Sequence, residues 1–147
     1  MSFSSNVKHE IINNVDLQYH CFNANLLVYL NNYASYCQIA NKTYLCFKLD
    51  NFLYSSRLYS ILLNLFRCNI EVLIQKSSNS SKKTFYLLIK DQNVIDKILI
   101  ISEIDISEIL EKECCVRSFL RENFILNGSI SDPKKSYHLE LVYSNYN

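Results

Sequence analysis

The sequence predicts an α+β fold in which helices alternate with β-hairpins along 147 residues. Apolar residues recur three and four positions apart in some segments and strictly alternate in others. Polar turns of Asn, Ser and Lys join the alternating segments in pairs. The order helix, hairpin, helix, hairpin, helix then begins again in the last third of the chain.

Each element has its own signal. Val7, Ile11 and Ile12 predict a helix from Ser5 to about Asn14, capped by Ser4 or Ser5. Leu26, Leu27, Leu30 and Tyr33 form the stripe of a second helix, Phe22 to Tyr33. Strands Ser35–Ile39 and Thr43–Leu49 follow, joined by Ala40-Asn41-Lys42, with Asn standing where Gly is usual. Leu45, Phe47 and Leu49 alternate with Tyr44, Cys46 and Lys48, the pattern of a half-buried strand.

Asp50 or Asn51 caps a longer helix ending near Arg67, with Phe52, Leu53, Leu58, Ile61, Leu62, Leu65 and Phe66 on its buried face. A second hairpin joins Ile70–Lys76 to Thr84–Lys90 through the solvated turn Ser77–Lys83. Asn93–Ser102 reads as helix and Ser107–Glu111 as a further short turn of helix. Cys115–Leu126 is helical, Asn127-Gly128-Ser129-Ile130 leaves that helix, and Tyr137–Tyr143 alternates as a strand.

Composition excludes several classes. The chain is 49% hydrophobic and 20% charged, near globular averages. No apolar run approaches the ~20 residues of a membrane span. The start Met1-Ser2-Phe3-Ser4-Ser5 lacks the basic end and apolar stretch of a signal peptide. A net charge of +1 gives no overall positive field for nucleic acid. One Gly and one Pro against 17 Asn leave Asn and Ser to build the turns, a bias that suggests an AT-rich genome.

The cysteines lie at 21, 37, 46, 68, 114 and 115, with no pair at the two-to-four spacing common among zinc ligands. They read as free thiols in a reducing compartment, those in apolar stretches packing as small hydrophobes. His9, His20 and His138 are scattered, and only His20 adjoins a Cys. No metal or other cofactor is expected.

Sliding the sequence against itself by 94 residues suggests an internal repeat. Cys21 then meets Cys115, Leu26 meets Leu120, Leu30 meets Phe124, and Ala34-Ser35 meets Gly128-Ser129. Leu45 and Phe47 meet Leu139 and Leu141, and Asn51-Phe52 meets Asn145-Tyr146. Five positions are identical, so the order of helix end, strand face and Asn-aromatic pair carries the comparison. The division is a lead-in at 1–20, a first repeat at 21–112 and the start of a second at 113–147.

Two stretches are specific. MSFSSNVKHEI at the start and ECCVRSFLRENFILNGSISDPKKSYHLELV near the end resemble the WhiA family, bacterial proteins tied to cell division, chromosome segregation and sporulation control. The paired cysteines, the helix end FL…F…GS and the run DPKKSYHLE carry the resemblance most. It covers the chain in order, with 36–112 matching in pattern more than in letters.

The resemblance implies a LAGLIDADG homing-endonuclease-like αββαββα fold, with a complete first repeat and a partial second around two packed central helices. Those helices are Leu26–Ala34 and Leu120–Gly128. It also implies a separate carboxyl-terminal helix-turn-helix domain, which supplies most DNA binding and is expected to be missing here. The expected function is a non-catalytic, DNA-associated transcription regulator of cell division and chromosome segregation, cytoplasmic and at the nucleoid, present as an amino-terminal fragment. The alternatives are a protein-interaction module without DNA binding and a non-functional remnant of a split gene. DNA is expected to bind weakly; a protein partner or a homodimer is the other expectation, and a membrane is not.

Nucleases of this fold place an acid beside the final Gly of each central helix to hold divalent metal. Here those positions are Tyr33 and Asn127, and the nearest acids, Asp50 and Asp132, lie beyond the helix ends. No catalytic residue or metal ligand is therefore expected. Where family helices carry small residues for close approach, this chain has Val28, Asn32, Glu122 and Leu126. A buried Glu122 would cost several kcal/mol unless paired, which suggests a looser or rotated helix pair or relaxed selection.

The resemblance also implies a DNA-facing sheet surface. Alternation assigns to it Tyr44, Lys48, Tyr86, Lys90 and His138, beside Cys46, Thr84 and Glu140, with Lys76, Lys82 and Lys83 around the second hairpin. The same pattern also describes a solvated sheet face whose lysines guard against aggregation.

Overall fold

The computed structural model describes residues 2–142. Helix α1, Phe3–Asn14, is capped by Ser2, whose hydroxyl accepts from the Ser5 amide. The expected caps were Ser4 and Ser5. Ser4 is engaged elsewhere: its hydroxyl donates to the Ile130 carbonyl at 2.8 Å and accepts from the Ile130 amide at 2.7 Å. That side chain ties the start of the chain to its last hairpin.

A 3-10 turn, Tyr19–Cys21, leads into α2, Phe22–Tyr33. Strands β1, Ala34–Ile39, and β2, Lys42–Leu49, close through Ala40 and Asn41, both with positive φ of 52° and 66°. The turn is thus a two-residue type I′ connection, and Lys42 belongs to the strand, paired with Ile39. Asn51, rather than Asp50, caps α3, Phe52–Phe66, by accepting from the Leu53 and Tyr54 amides. Phe52 sits at the very start of that helix and is 64% exposed, against the expectation that it packs inward.

The α3 helix ends with Arg67 in the left-handed region at φ 46°, a conformation that favours Gly. Arg67→Gly is therefore expected to stabilise the chain by about 0.5–1 kcal/mol. Urea unfolding checks this, and an unchanged midpoint would show that Arg67 carries no strain.

Strands β3, Glu71–Lys76, and β4, Lys83–Ile89, form the second hairpin. The four strands make one antiparallel sheet in the order β1-β2-β4-β3. Helix α4, Gln92–Glu103, capped by Asp91, and the short α5, Ile106–Ile109, capped by Asp105, lead to α6, Glu113–Asn127. Strands β5, Gly128–Ile130, and β6, Leu139–Leu141, form a separate two-stranded sheet. The strand expected at Tyr137–Tyr143 is shorter, since Tyr137, His138 and Val142 lie outside β6, while Tyr143 and the matched pair Asn145-Tyr146 lie outside the described residues.

The main core lies on one face of the larger sheet. Leu45, Phe47, Leu49, Leu87 and Ile89 from β2 and β4 pack with Leu26 and Tyr29 of α2, Leu58, Ile61 and Leu62 of α3, and Ile95 and Ile98 of α4. Burying these side chains supplies the main apolar driving force for the fold. The opposite face is not simply solvated. Tyr44, Cys46 and Leu88 are buried together there, with Cys37 and Tyr86 packed against them. The register explains why: Cys37 pairs with Tyr44 and Cys46 with Leu88, so four apolar side chains adjoin and exclude water from one another. The half-buried reading of β2 is corrected accordingly.

The internal repeat is written in the strand register. Ala34 pairs with Phe47, Ser35 with Cys46 and Tyr36 with Leu45. Gly128 pairs with Leu141, Ser129 with Glu140 and Ile130 with Leu139. Each residue of the second set lies 94 positions after its counterpart, and α2 and α6 end at matching points, Tyr33 and Asn127. One difference is steric. A Cβ at Gly128 would come within 2.8 Å of the Phe124 Cα and carbonyl oxygen, so the alanine found at the matching position 34 does not fit there.

Candidate functional site

Helices α2 and α6 lie side by side with their amino-terminal ends together, and three arrangements of side chains follow. The first is a buried polar network. Glu122 is fully buried, with Arg57 Nε 2.8 Å from both carboxylate oxygens. Asn25 Nδ2 donates to the same carboxylate at 3.0 Å, and the Tyr29 hydroxyl reaches it at 3.5 Å.

This corrects the expectation of a loosened helix pair. The carboxylate is tolerated because a guanidinium and an amide replace the water it loses. Burial still pushes the Glu122 carboxyl up, while Arg57 and the hydrogen bonds pull it back down. Burial likewise holds the Tyr29 phenol well above its usual range, reinforced by the charge of Glu122. Arg57 comes from α3, whose apolar pattern concealed it. Its signal was a lone charge beside Leu58 and four residues before Ile61 on that buried face.

The carboxyl ends of the two helices hold Tyr33 and Asn127. Burial raises the Tyr33 phenol, with a further push from Asp50. Among the described residues, the Asn127 Nδ2 atom is buried with no hydrogen-bond partner, as are Asn25 Oδ1 and Asn123 Oδ1.

The second arrangement is the sheet face opposite the main core. Lys48 and Tyr86 are direct cross-strand partners, and the Tyr86 hydroxyl donates to Gln75 Oε1 at 3.2 Å. Close approach of the like-charged Lys90 ammonium holds the Lys42 ammonium below its usual range. Lys42 was missed by the sequence reading, although it has the same alternation as Tyr44 and Lys48. Tyr44 itself is buried in the apolar cluster of this face.

The other expected residues lie apart. Lys76 pairs with Lys83 at the far end of the second hairpin, on the alternation of Ile74 and Phe85, and Lys82 sits in the turn. His138 lies beside the smaller sheet, with its amide donating to the Ser131 hydroxyl and its ring 3.5 Å from the Glu140 carboxylate. The structure therefore sets two pairs on this face, Lys48 with Tyr86 and Lys42 with Lys90, on either side of the apolar cluster, and separates Lys76, Lys82, Lys83 and His138 from them.

The third arrangement was missed. At the joined helix starts, His20 Nε2 lies 2.8 Å from Cys114 Sγ, and Cys21 Sγ lies 3.8 Å from Cys115 Sγ. Their four ligand-type atoms all fall within 4.8 Å of one another. A search for cysteines two to four apart passes over them, because each pair is adjacent and the pairs are 94 residues apart. The available signal was the repeat itself, which superposes His20 on Cys114 and Cys21 on Cys115.

The two sulfurs of the second pair differ sharply. The hydrogen bond from His20 brings the exposed Cys114 thiol down to about 7, whereas burial pushes Cys115 up to about 11. In metal-free chain at neutral pH, a short iodoacetamide pulse is expected to label Cys114 first, and His20→Ala to slow that labelling severalfold. Peptide mass mapping checks the order; equal labelling of Cys114 and Cys68 would show that His20 does not activate the thiol.

This architecture of paired helices and hairpins matches known families. The family model of the WhiA N-terminal LAGLIDADG-like domain matches residues 20–104, and that of the WhiA LAGLIDADG-like domain matches residues 116–147. The chain belongs to the WhiA family.

Among WhiA relatives, the probable cell division protein WhiA of Ruminiclostridium cellulolyticum is 35% identical over 99% of this chain. That of Alkaliphilus metalliredigens is 30% identical over 97%, and that of Bacillus subtilis 27% over 100%. The chain spans about half the length of these curated relatives, 50% in each case. The crystal structure of the N-terminal LAGLIDADG domain of DUF199/WhiA superposes with a TM-score of 0.63 at 22% identity, covering 95% of this chain and 65% of that one. Full-length DUF199/WhiA from Thermatoga maritima gives 0.61 at 20%, covering 96% of this chain and 44% of that one. The LAGLIDADG-like fold expected from the resemblance is thereby confirmed. Among the described residues, no helix is long and apolar enough to cross a membrane.

Proposed function

We propose that this WhiA-family chain acts in cell division as a non-catalytic, DNA-associated module. The observation that carries the reading is the sheet face away from the helices, which carries Lys48 beside Tyr86 at one end and Lys42 beside Lys90 at the other. Lysines so placed meet phosphates and position a duplex without reading its sequence. Tyr33 and Asn127 at the helix ends supply no carboxylate pair for hydrolytic metal, which supports scaffold use over cleavage. Association is weak, because few cations share the face, and it places the chain at the nucleoid, where it bears on transcription and chromosome segregation.

Binding to a fluorescent duplex across a salt series tests this. Affinity should fall linearly with salt on logarithmic axes, and Lys48→Ala with Lys90→Ala should flatten the slope by about 0.9 per lost contact. Salt-independent binding, or strand cleavage with magnesium, would overturn the proposal.

A second reading is favoured by one observation. Strand β3 is a sheet edge exposing Val72, Leu73 and Ile74, the last at 61%. Such an edge suits a protein partner or a second copy of the chain. Light scattering after size exclusion separates these, since only self-association raises the mass of the purified chain.

A further inference from the structure

We propose that His20, Cys21, Cys114 and Cys115 form a structural zinc site that clamps the two repeats together. Two ligands come from the 3-10 turn that leads into α2 and two from the start of α6, and their ligand atoms already lie within 4.8 Å of one another. A tetrahedral zinc with Zn–S bonds of about 2.3 Å sets its sulfurs about 3.8 Å apart. Cys21 and Cys115 stand at that separation, 3.8 Å, and both are buried. His20 and Cys114 are exposed and 2.8 Å apart. Small side-chain rotations of this exposed pair open it to ligand spacing, with the metal replacing the shared proton.

Ligand chemistry selects the metal. Three thiolates and one imidazole are a soft set, suited to zinc and unsuited to magnesium or calcium. Four protein ligands leave no open position for substrate, so the site is structural. Charge favours it as well: two helix amino termini converge here, and their backbone N–H groups and dipoles stabilise thiolates. On binding, three thiols release three protons and His20 binds through its neutral ring, so Zn2+ becomes a complex of charge −1. A shallow cleft lined by His20, Asn23, Ile109, Lys112 and Cys115 gives the ion access, and Lys112 offsets that charge.

The neighbouring apolar cluster is small: among the described residues it buries Cys21, Ala24 and Cys115, with Ile109, Leu110 and Phe119 partly buried against them. The joined helix starts therefore have little packing to hold them, and a metal crosslink supplies what the core does not. The clamp lies at one end of the α2–α6 pair, with the Arg57–Glu122 network farther along it.

The test uses the full chain, purified under reductant without chelator. Mass spectrometry of the metal should find about one zinc per chain. Cobalt replacement should give the visible bands of a tetrahedral site and thiolate-to-cobalt charge transfer. Cys114→Ser and His20→Ala change exposed side chains, so circular dichroism should report an intact fold. Each should weaken cobalt binding by more than about tenfold and lose or shift those bands. Cys37→Ser and Cys68→Ser should leave both unchanged, and chelator should lower the melting temperature of the parent chain and of these two controls, but not of Cys114→Ser or His20→Ala. Reduced chain that takes up no metal overturns the proposal. So does a Cys21–Cys115 disulfide in that preparation, or a cobalt spectrum unmoved by Cys114→Ser and His20→Ala.

Discussion

Glu122→Ala is expected to destabilise the chain by about 3–5 kcal/mol, because it strands the Arg57 guanidinium in the interior without its anion. The side chain of Arg57 is only 6% exposed, so water cannot substitute. Asn25 Nδ2 loses its acceptor in the same step. Replacing both partners tells whether the pair stabilises or merely must not be broken. Arg57→Met combined with Glu122→Leu removes both charges and refills the space, and is expected to restore stability to the parent level or above it. Urea midpoints at constant slope give each value. A cost below about 1 kcal/mol for Glu122→Ala would indicate that Arg57 escapes to solvent.

The same residue sets a pH dependence. The native carboxyl is raised above its ordinary 4.5, so the folded state holds this proton more tightly than the unfolded chain. Its contribution to stability is therefore greatest below the ordinary value and is lost as pH rises through the raised one. Glu122→Gln, which cannot titrate, should remove that component from a stability profile measured in acid.

Phe47→Ala is expected to cost about 3–5 kcal/mol, the range for emptying a buried aromatic site. Phe47 is fully buried in β2, an interior strand flanked by β1 and β4. It faces the main core shared by α2, α3 and α4, and fixed helices leave the cavity little room to collapse. Tyr44→Ala probes the other face of the same strand. That smaller cluster is bounded by half-buried side chains, so a cost of about 1–2 kcal/mol is expected. Equal costs on both faces would mean that the second cluster is as rigid as the core.

These two residues also show how far a sequence can be read. Phe47 was legible because alternation with Leu45 and Leu49 defines a face from local spacing alone. Helix α2 and both hairpins were legible for the same reason. Tyr44 was not, since its burial depends on Leu88 arriving from β4 opposite Cys46. Glu122 was recognised as buried and awkward, but its partner is 65 residues earlier on a helix whose pattern reads as apolar. The four clustered ligands depend on the repeat placing two adjacent pairs at one point, which spacing within either segment does not reveal. Ser2 caps α1 because Ser4 is committed to Ile130, a contact across 126 residues.

That same long reach orders events during synthesis. Arg57 leaves the ribosome long before Glu122, and Ser4 long before Ile130. Until α6 emerges, the first repeat has a guanidinium awaiting an interior and a helix α2 with one side uncovered. The nascent chain therefore cannot complete its fold piece by piece from its beginning. Helix α6, made after the first repeat, is the one that completes the burial of α2 and of Arg57.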